Sequence, residues 1–162
     1  MKIGVLSDTH ISAPTRSFLD QTARCFAHCQ VIFHAGDLVD LSVLSAFKGK
    51  EVYAVHGNMC HSSARQNLPT QTVIELAGFR FGLTHGMPYR QHVEENLYRD
   101  FPPVDCIVSG HTHIPICHRL FGVLFMNPGS FMGTGRFGAA GTYGILEVGE
   151  TIRGQILEVP PA

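Results

Sequence analysis

Five short polar blocks, most of them set directly after an apolar run, constrain this sequence more than any other feature. They are Asp8-Thr9-His10, Gly36-Asp37, Gly57-Asn58, His85-Gly86 and Gly110-His111-Thr112-His113. An apolar run that stops at a polar turn reads as a buried strand, and in an α/β sheet the turns after the strands gather at one edge. The side chains carried there, Asp8, His10, Asp37, Asn58, His85, His111 and His113, are all nitrogen or oxygen donors, and two are carboxylates. That is the donor set of a two-metal hydrolytic site, in which one carboxylate can bridge both ions.

No block is decisive alone. Asp8 and His10 point the same way along an extended segment, yet an Asp-x-His is equally a surface turn. Asp37 after Gly36 suits a bridging carboxylate, because Gly lets the backbone approach closely, and it also suits a helix N-cap. Gly57-Asn58 describes a turn as well as a neutral carbonyl ligand. His85, after Phe81-Gly82-Leu83-Thr84, also fits a hydrogen-bonded residue at a strand end. The two histidines after Gly110 can each face a metal if that glycine tightens the turn. The weight rests on all five occurring together, in this order, at expected strand ends.

The apolar pattern supplies the frame. Strands are expected at Lys2 to Leu6, Val31 to Phe33 and Val52 to Val55, alternating with helices over Thr15 to Cys29 and Leu41 to Phe47. Such alternation implies parallel pairing. In the second half, strands are expected at Thr72 to Leu76, Phe79 to Leu83, Cys106 to Val108, Ile116 to Leu120, Val123 to Met126, Tyr143 to Val148 and Ile152 to Val159. Gly78, Gly122 and Gly149 mark hairpin turns, and only His92 to Tyr98 reads as helix there. Asn127 to Gly141, rich in glycine, reads as one long loop. The whole therefore reads as two packed sheets with helices outside.

Composition narrows the classes. With 162 residues, the chain reads as one domain over 1–162, able to bury a core without disulfides. The net charge of -1 and the absence of basic runs argue against a stable nucleic-acid complex. No apolar stretch approaches the roughly 20 residues of a membrane span, and the short apolar start has no cleavage site. Five cysteines, an odd number without a Cys-x-x-Cys pair, imply reduced thiols and a cytoplasmic address. Cys25 and Cys29 share an expected helix face and read as small core residues. His28, His92 and His118 read as surface or packing positions, whereas His34 and His56 precede ligand blocks closely enough to support them. Arg16, Arg90 and Arg136 are the few cations near the blocks, and Arg136 is the candidate phosphate contact.

The ordered series Asp-x-His, Gly-Asp, Gly-Asn, His-Gly, Gly-His-x-His resembles the signature of the calcineurin-like metallophosphoesterases. Asn127-Pro128-Gly129-Ser130 is similar to a segment of their small single-domain YfcE-type phosphodiesterases and of the related retromer scaffold subunit. The resemblance implies an α/β fold, a four-layer α/β/β/α sandwich of two packed mixed sheets with outer helices. It implies one ion held by Asp8, His10, Asp37 and His113 and another held by Asp37, Asn58, His85 and His111. Manganese is the leading expectation, with Fe, Zn, Ni or Co as alternatives. The implied activity is hydrolysis of a small phosphodiester or nucleotide-like substrate by a metal-bridging hydroxide. A phosphomonoesterase with the same site and a retromer-type scaffold are the alternatives, and a homo-oligomer stays open. One departure stands out. The run after Gly57-Asn58 is Met59-Cys60-His61, whereas the resembled family usually has His or Cys and then an acidic residue. Met59 cannot donate a proton, so the general acid is unassigned.

Overall fold

The computed structural model describes residues 1–133 and 139–161. Ten strands form two five-stranded mixed sheets. In chain order they are β1 (Lys2–Leu6), β2 (Val31–His34), β3 (Glu51–Ala54), β4 (Gln71–Leu76), β5 (Phe79–Thr84), β6 (Cys106–Val108), β7 (Ile116–Leu120), β8 (Val123–Asn127), β9 (Thr142–Val148) and β10 (Ile152–Glu158). The first sheet runs β10-β9-β1-β2-β3, with β1, β2 and β3 parallel. The second runs β4-β5-β6-β8-β7, with β5, β6 and β8 parallel and the edge strands antiparallel.

Side-chain alternation sorts these strands into layers. Ile3, Val5, Val31 and Phe33 of the first sheet meet Ile74, Phe81, Leu83, Val108 and Met126 of the second in one buried core. On the other face of the first sheet, Leu6 and Ile32 pack against Phe18, Phe26, Val43 and Phe47. The second sheet's outer face buries Ile107 and Phe125 against Leu97 and Phe101. The order is helix, sheet, sheet, helix, as the sequence implied.

The helices are α1 (Arg16–Cys25), α2 (Ser62–Asn67) and α3 (Val93–Asp100), with a 3-10 helix at Leu41–Phe47. Thr15 caps α1 by accepting from the Phe18 amide, and Asp40 caps the 3-10 helix through the Ser42 amide. The first helix is shorter than expected. It ends at Cys25, and the Lys50 ammonium takes up the carbonyls of Phe26 and Cys29, each at 2.8 Å. Cys29 thus lies beyond the helix, yet it joins the same core as Cys25. The short α2 was not anticipated, because Ser-Ser-Ala-Arg-Gln-Asn carries no apolar periodicity and buries only Ala64. The expected glycine-rich loop opens on a packed segment. Asn127 ends β8, and Phe131 stacks on Phe26 in the core.

No helix of the described residues is long and apolar enough to cross a membrane.

Candidate metal centre

The parallel strands aim their carboxyl ends at one edge of the sandwich, and each expected block lies just beyond one of them. Asp8 and His10 follow β1, Asp37 follows β2, Asn58 follows β3, His85 follows β5, and His111 and His113 follow β6. Backbone bonds continue past the strands: Asp8 N–H to Gly36 O and His10 N–H to Asp37 O, both at 3.0 Å, and Gly110 N–H to His85 O at 3.1 Å. Asp8, His10, Asp37, His111 and His113 all adopt positive φ, between 50° and 68°. Non-glycine residues rarely hold that conformation, and it clusters where a site fixes side chains against their preference.

Two groups of donor atoms result. The ligand atoms of Asp8, His10 and His113 lie within 4.8 Å of one another, as do those of Asp8, Asp37 and His85. Asp8 is fully buried, and its Oδ2 accepts from the Ser7 hydroxyl (2.6 Å) and the His111 amide (3.1 Å). Among the described residues its Oδ1 has no hydrogen-bond partner, and it faces His113 Nε2 at 3.1 Å and His10 Nε2 at 3.8 Å. Those two imidazole nitrogens are themselves only 3.3 Å apart. A buried carboxylate oxygen without a donor is costly unless a cation satisfies it.

In the second group, His85 Nδ1 lies 2.8 Å from the Ala35 carbonyl, which calls for a proton on Nδ1. Neutral His85 therefore turns a lone pair on Nε2 toward Asp37 Oδ2 (3.3 Å) and Asn58 Oδ1 (3.2 Å). Three lone-pair atoms facing one another require a positive charge between them. Either a metal ion or a proton on Nε2 can supply that charge, and the titration of the pair reports the proton. Burial alone depresses His85 and lifts Asp37, yet their mutual attraction outweighs it, holding His85 above and Asp37 below their ordinary values. The His111 ring packs edge-on against His85 at 5.1 Å and is held below the usual imidazole range by burial, with the charges of His85 and Arg90 adding to it. All seven expected residues therefore meet at this edge. Asp37, expected to serve both ions, belongs to the second group by these distances, and Asp8 is common to both.

Close approach explains two of the glycines. A Cβ on Gly57 would stand 2.2 Å from Asp37 Oδ1, and one on Gly110 would stand 2.7 Å from Asp8 Oδ2. Each block thus leaves room for another block's carboxylate. Gly57→Ala should therefore displace the Asp37 carboxylate and weaken metal binding by about 10–100-fold, the effect of disturbing a ligand's support. Metal titration by calorimetry checks this, with circular dichroism expected to be that of wild type. Wild-type metal affinity in Gly57→Ala would show that the carboxylate's present position does not matter.

Several supports were not visible from the strand pattern. The Asn127 amide donates to Gly110 O (2.7 Å) and Thr112 Oγ1 (3.0 Å), and the Ser130 hydroxyl donates to Asp8 O (2.9 Å). Arg65, on α2, donates to the carbonyls of Asn58 and Cys60, fixing the turn that carries Asn58. Nothing in the sequence around Arg65 marks that role. Cys60 is buried, and its sulfur accepts from the Gly57 amide, so it closes the turn. His34 is buried, and desolvation pushes it down to about 3; its ring lies 3.4 Å from Thr9 Oγ1. His56 Nδ1 has no hydrogen-bond partner among the described residues. His28, His92 and His118 are exposed. Arg16 pairs with Asp20 at 3.0 Å, Arg90 is exposed, and Arg136 lies outside the described residues.

Comparison with known proteins gives concordant results. Residues 1–151 match the model of the calcineurin-like phosphoesterase superfamily domain. A probable metallophosphoesterase of Methanocaldococcus jannaschii is 33% identical over 134 residues, covering 80% of this chain and 68% of that protein. A solved archaeal phosphodiesterase superposes with a TM-score of 0.74 at 26% identity, covering 97% of this chain and 100% of that one. Vps29 from Entamoeba histolytica, solved with zinc, has the same fold, with a TM-score of 0.75 at 22% identity over 99% of this chain and 100% of that one.

Proposed function

We propose that this chain, which belongs to the calcineurin-like phosphoesterase superfamily, is a phosphodiesterase that works with two divalent ions on small substrates. The observation that carries the reading is the buried Asp8 Oδ1, which has no hydrogen-bond partner among the described residues and faces two imidazole nitrogens. The residues fit metal ions, since every donor is nitrogen or oxygen, as Mn, Fe, Zn, Ni and Co accept, with no thiolate of the kind structural zinc favours. Asp8, His10 and His113, with Asp37 adjoining, would hold one ion; Asp37, Asn58, His85 and His111 would hold the other. Divalent ions there would supply Lewis acidity toward the phosphoryl oxygens and a nucleophile at neutral pH.

The chain's own residues would do the rest. His85, oriented by the Ala35 carbonyl, presents Nε2 and not Nδ1 to the centre. The Met59 amide bonds to Asp37 Oδ1, leaving Oδ2 free to point inward. The carboxylates do not neutralise two divalent ions, so the centre attracts an anion. Among the described residues the other cations near it are engaged or exposed: Arg16 is paired with Asp20, Arg65 holds the carbonyls of Asn58 and Cys60, and Arg90 is exposed. That deficit favours the single charge of a diester over the double charge of a monoester. With defined added metals, the kcat/KM for an aryl diester should exceed that for the matching aryl monoester, and a chelator should abolish both. The reverse order would make the protein a phosphomonoesterase. No turnover of either ester would favour a binding protein on the same fold.

A further inference from the structure

Eight large apolar side chains are exposed among the described residues. Three of them, Ile114 (63% exposed), Met59 (55%) and Met87 (44%), lie within two residues of His113, Asn58 and His85. A single exposed apolar side chain needs no explanation, but three on the turns around one polar centre form a pattern. Their backbones are tied to that centre. The Met59 amide bonds to Asp37 Oδ1 (2.8 Å), and the Ile114 amide bonds to Thr112 Oγ1 (3.3 Å). Gly86, just before Met87, abuts Ser109 and His111. Beside Ile114 opens a cleft of about 190 Å³ whose lining joins Val93, Leu97, Ile116 and Phe125 with Arg90 and the polar Ser109, Thr112 and Asn127. Its one carboxylate, Glu94, is turned to His118 at 3.5 Å.

We propose that this rim binds the organic group carried by the phosphodiester, and that this group is an apolar aromatic ring. The inference rests on the phosphodiesterase reading and names the substrate class within it. Met59, Met87 and Ile114 offer no hydrogen bond, so a sugar hydroxyl laid on them loses water without compensation. An aromatic ring gains from the same contact: thioethers pack favourably on ring edges and faces, and the Arg90 guanidinium can lie over a ring. The polar centre then fixes the phosphoryl group, while the rim selects what is attached to it.

Two diesters with one leaving group test this, phenyl p-nitrophenyl phosphate and methyl p-nitrophenyl phosphate, assayed on the metal-loaded full chain. The kcat/KM ratio, divided by the same ratio for uncatalysed hydrolysis, should favour the phenyl ester by roughly tenfold, as partial burial of a ring predicts. It should fall to near one when Met59→Ser, Met87→Ser and Ile114→Ser are combined. Tyr98→Ser with Phe121→Ser removes exposed apolar groups at the far end of the second sheet and should keep the preference. Calorimetry should show diphenyl phosphate binding more tightly than dimethyl phosphate, a difference lost in the triple variant. A normalised ratio near one in the wild type, or a preference that survives in the triple variant, overturns the proposal. If neither ester turns over, the hydrolase reading fails, and preferential binding of diphenyl phosphate still upholds the rim. Equal binding of the two phosphates then overturns it as well.

Discussion

Asp37→Asn should leave the fold intact, cost the protein its second metal ion, and lower turnover by roughly a thousandfold, on the scale of deleting a key electrostatic contact. The substitution is nearly isosteric. Its carbonyl oxygen can still accept from the Met59 amide, which reaches Asp37 Oδ1 at 2.8 Å, so the turn carrying Asn58 has no reason to move. What disappears is the charge. Asp37 is buried and faces His85 Nε2 at 3.3 Å, and an amide there offers either a weaker neutral ligand or an N–H that competes with the ion. Metal content per chain and kcat are the measurements, with circular dichroism as the control for folding. Two bound ions with wild-type turnover would show that the site has been assigned wrongly. Asp8→Asn sharpens the comparison, because Asp8 lies in both donor groups. Asp8→Asn should cost both ions where Asp37→Asn costs one.

The five blocks made this centre legible because each stands at the end of a strand whose apolar run announces it. Val5-Leu6 before Asp8 and Ile32-Phe33 before Asp37 are buried stretches that stop where the sheet stops, so sequence position converts directly into position in space. Parallel pairing of β1, β2 and β3 followed from their alternation with helices, and the paired hairpins from Gly78 and Gly122. The residues that escaped notice act through the backbone. Arg65 holds the carbonyls of Asn58 and Cys60 from an exposed, polar helix, and a guanidinium on a carbonyl leaves no periodic trace. Phe26 and Cys29 fit the apolar face of a helix over Thr15 to Cys29, yet they pack on the core from a turn that Lys50 caps. The 3-10 geometry of Leu41–Phe47 was equally hidden, since over seven residues its apolar spacing matches that of an α-helix.

Catalysis should depend steeply on how well the leaving group departs unaided, and His61→Ala should change that little. A positioned general acid contributes about 10²–10⁴-fold, most where the departing oxygen is a strong base. Beside Asn58 stands Met59, exposed and without a proton to give. The next residue, Cys60, is buried with its sulfur engaged by the Gly57 amide, so it too is unavailable. His61 is the remaining acid on this turn. Its backbone is fixed by a bond to Val39 O at 2.8 Å, and it begins α2. That bond anchors the start of α2 to the loop after β2, and the His61 side chain makes no cap hydrogen bond. Across diesters of graded leaving-group pKa, kcat/KM should therefore fall by roughly the factor a missing acid leaves uncompensated. Aryl esters should be cleaved readily and alkyl or sugar-linked esters poorly, with the same slope in wild type and His61→Ala. A shallow slope in wild type that turns steep in His61→Ala would identify His61 as the acid, and would mean that this turn moves inward when substrate binds.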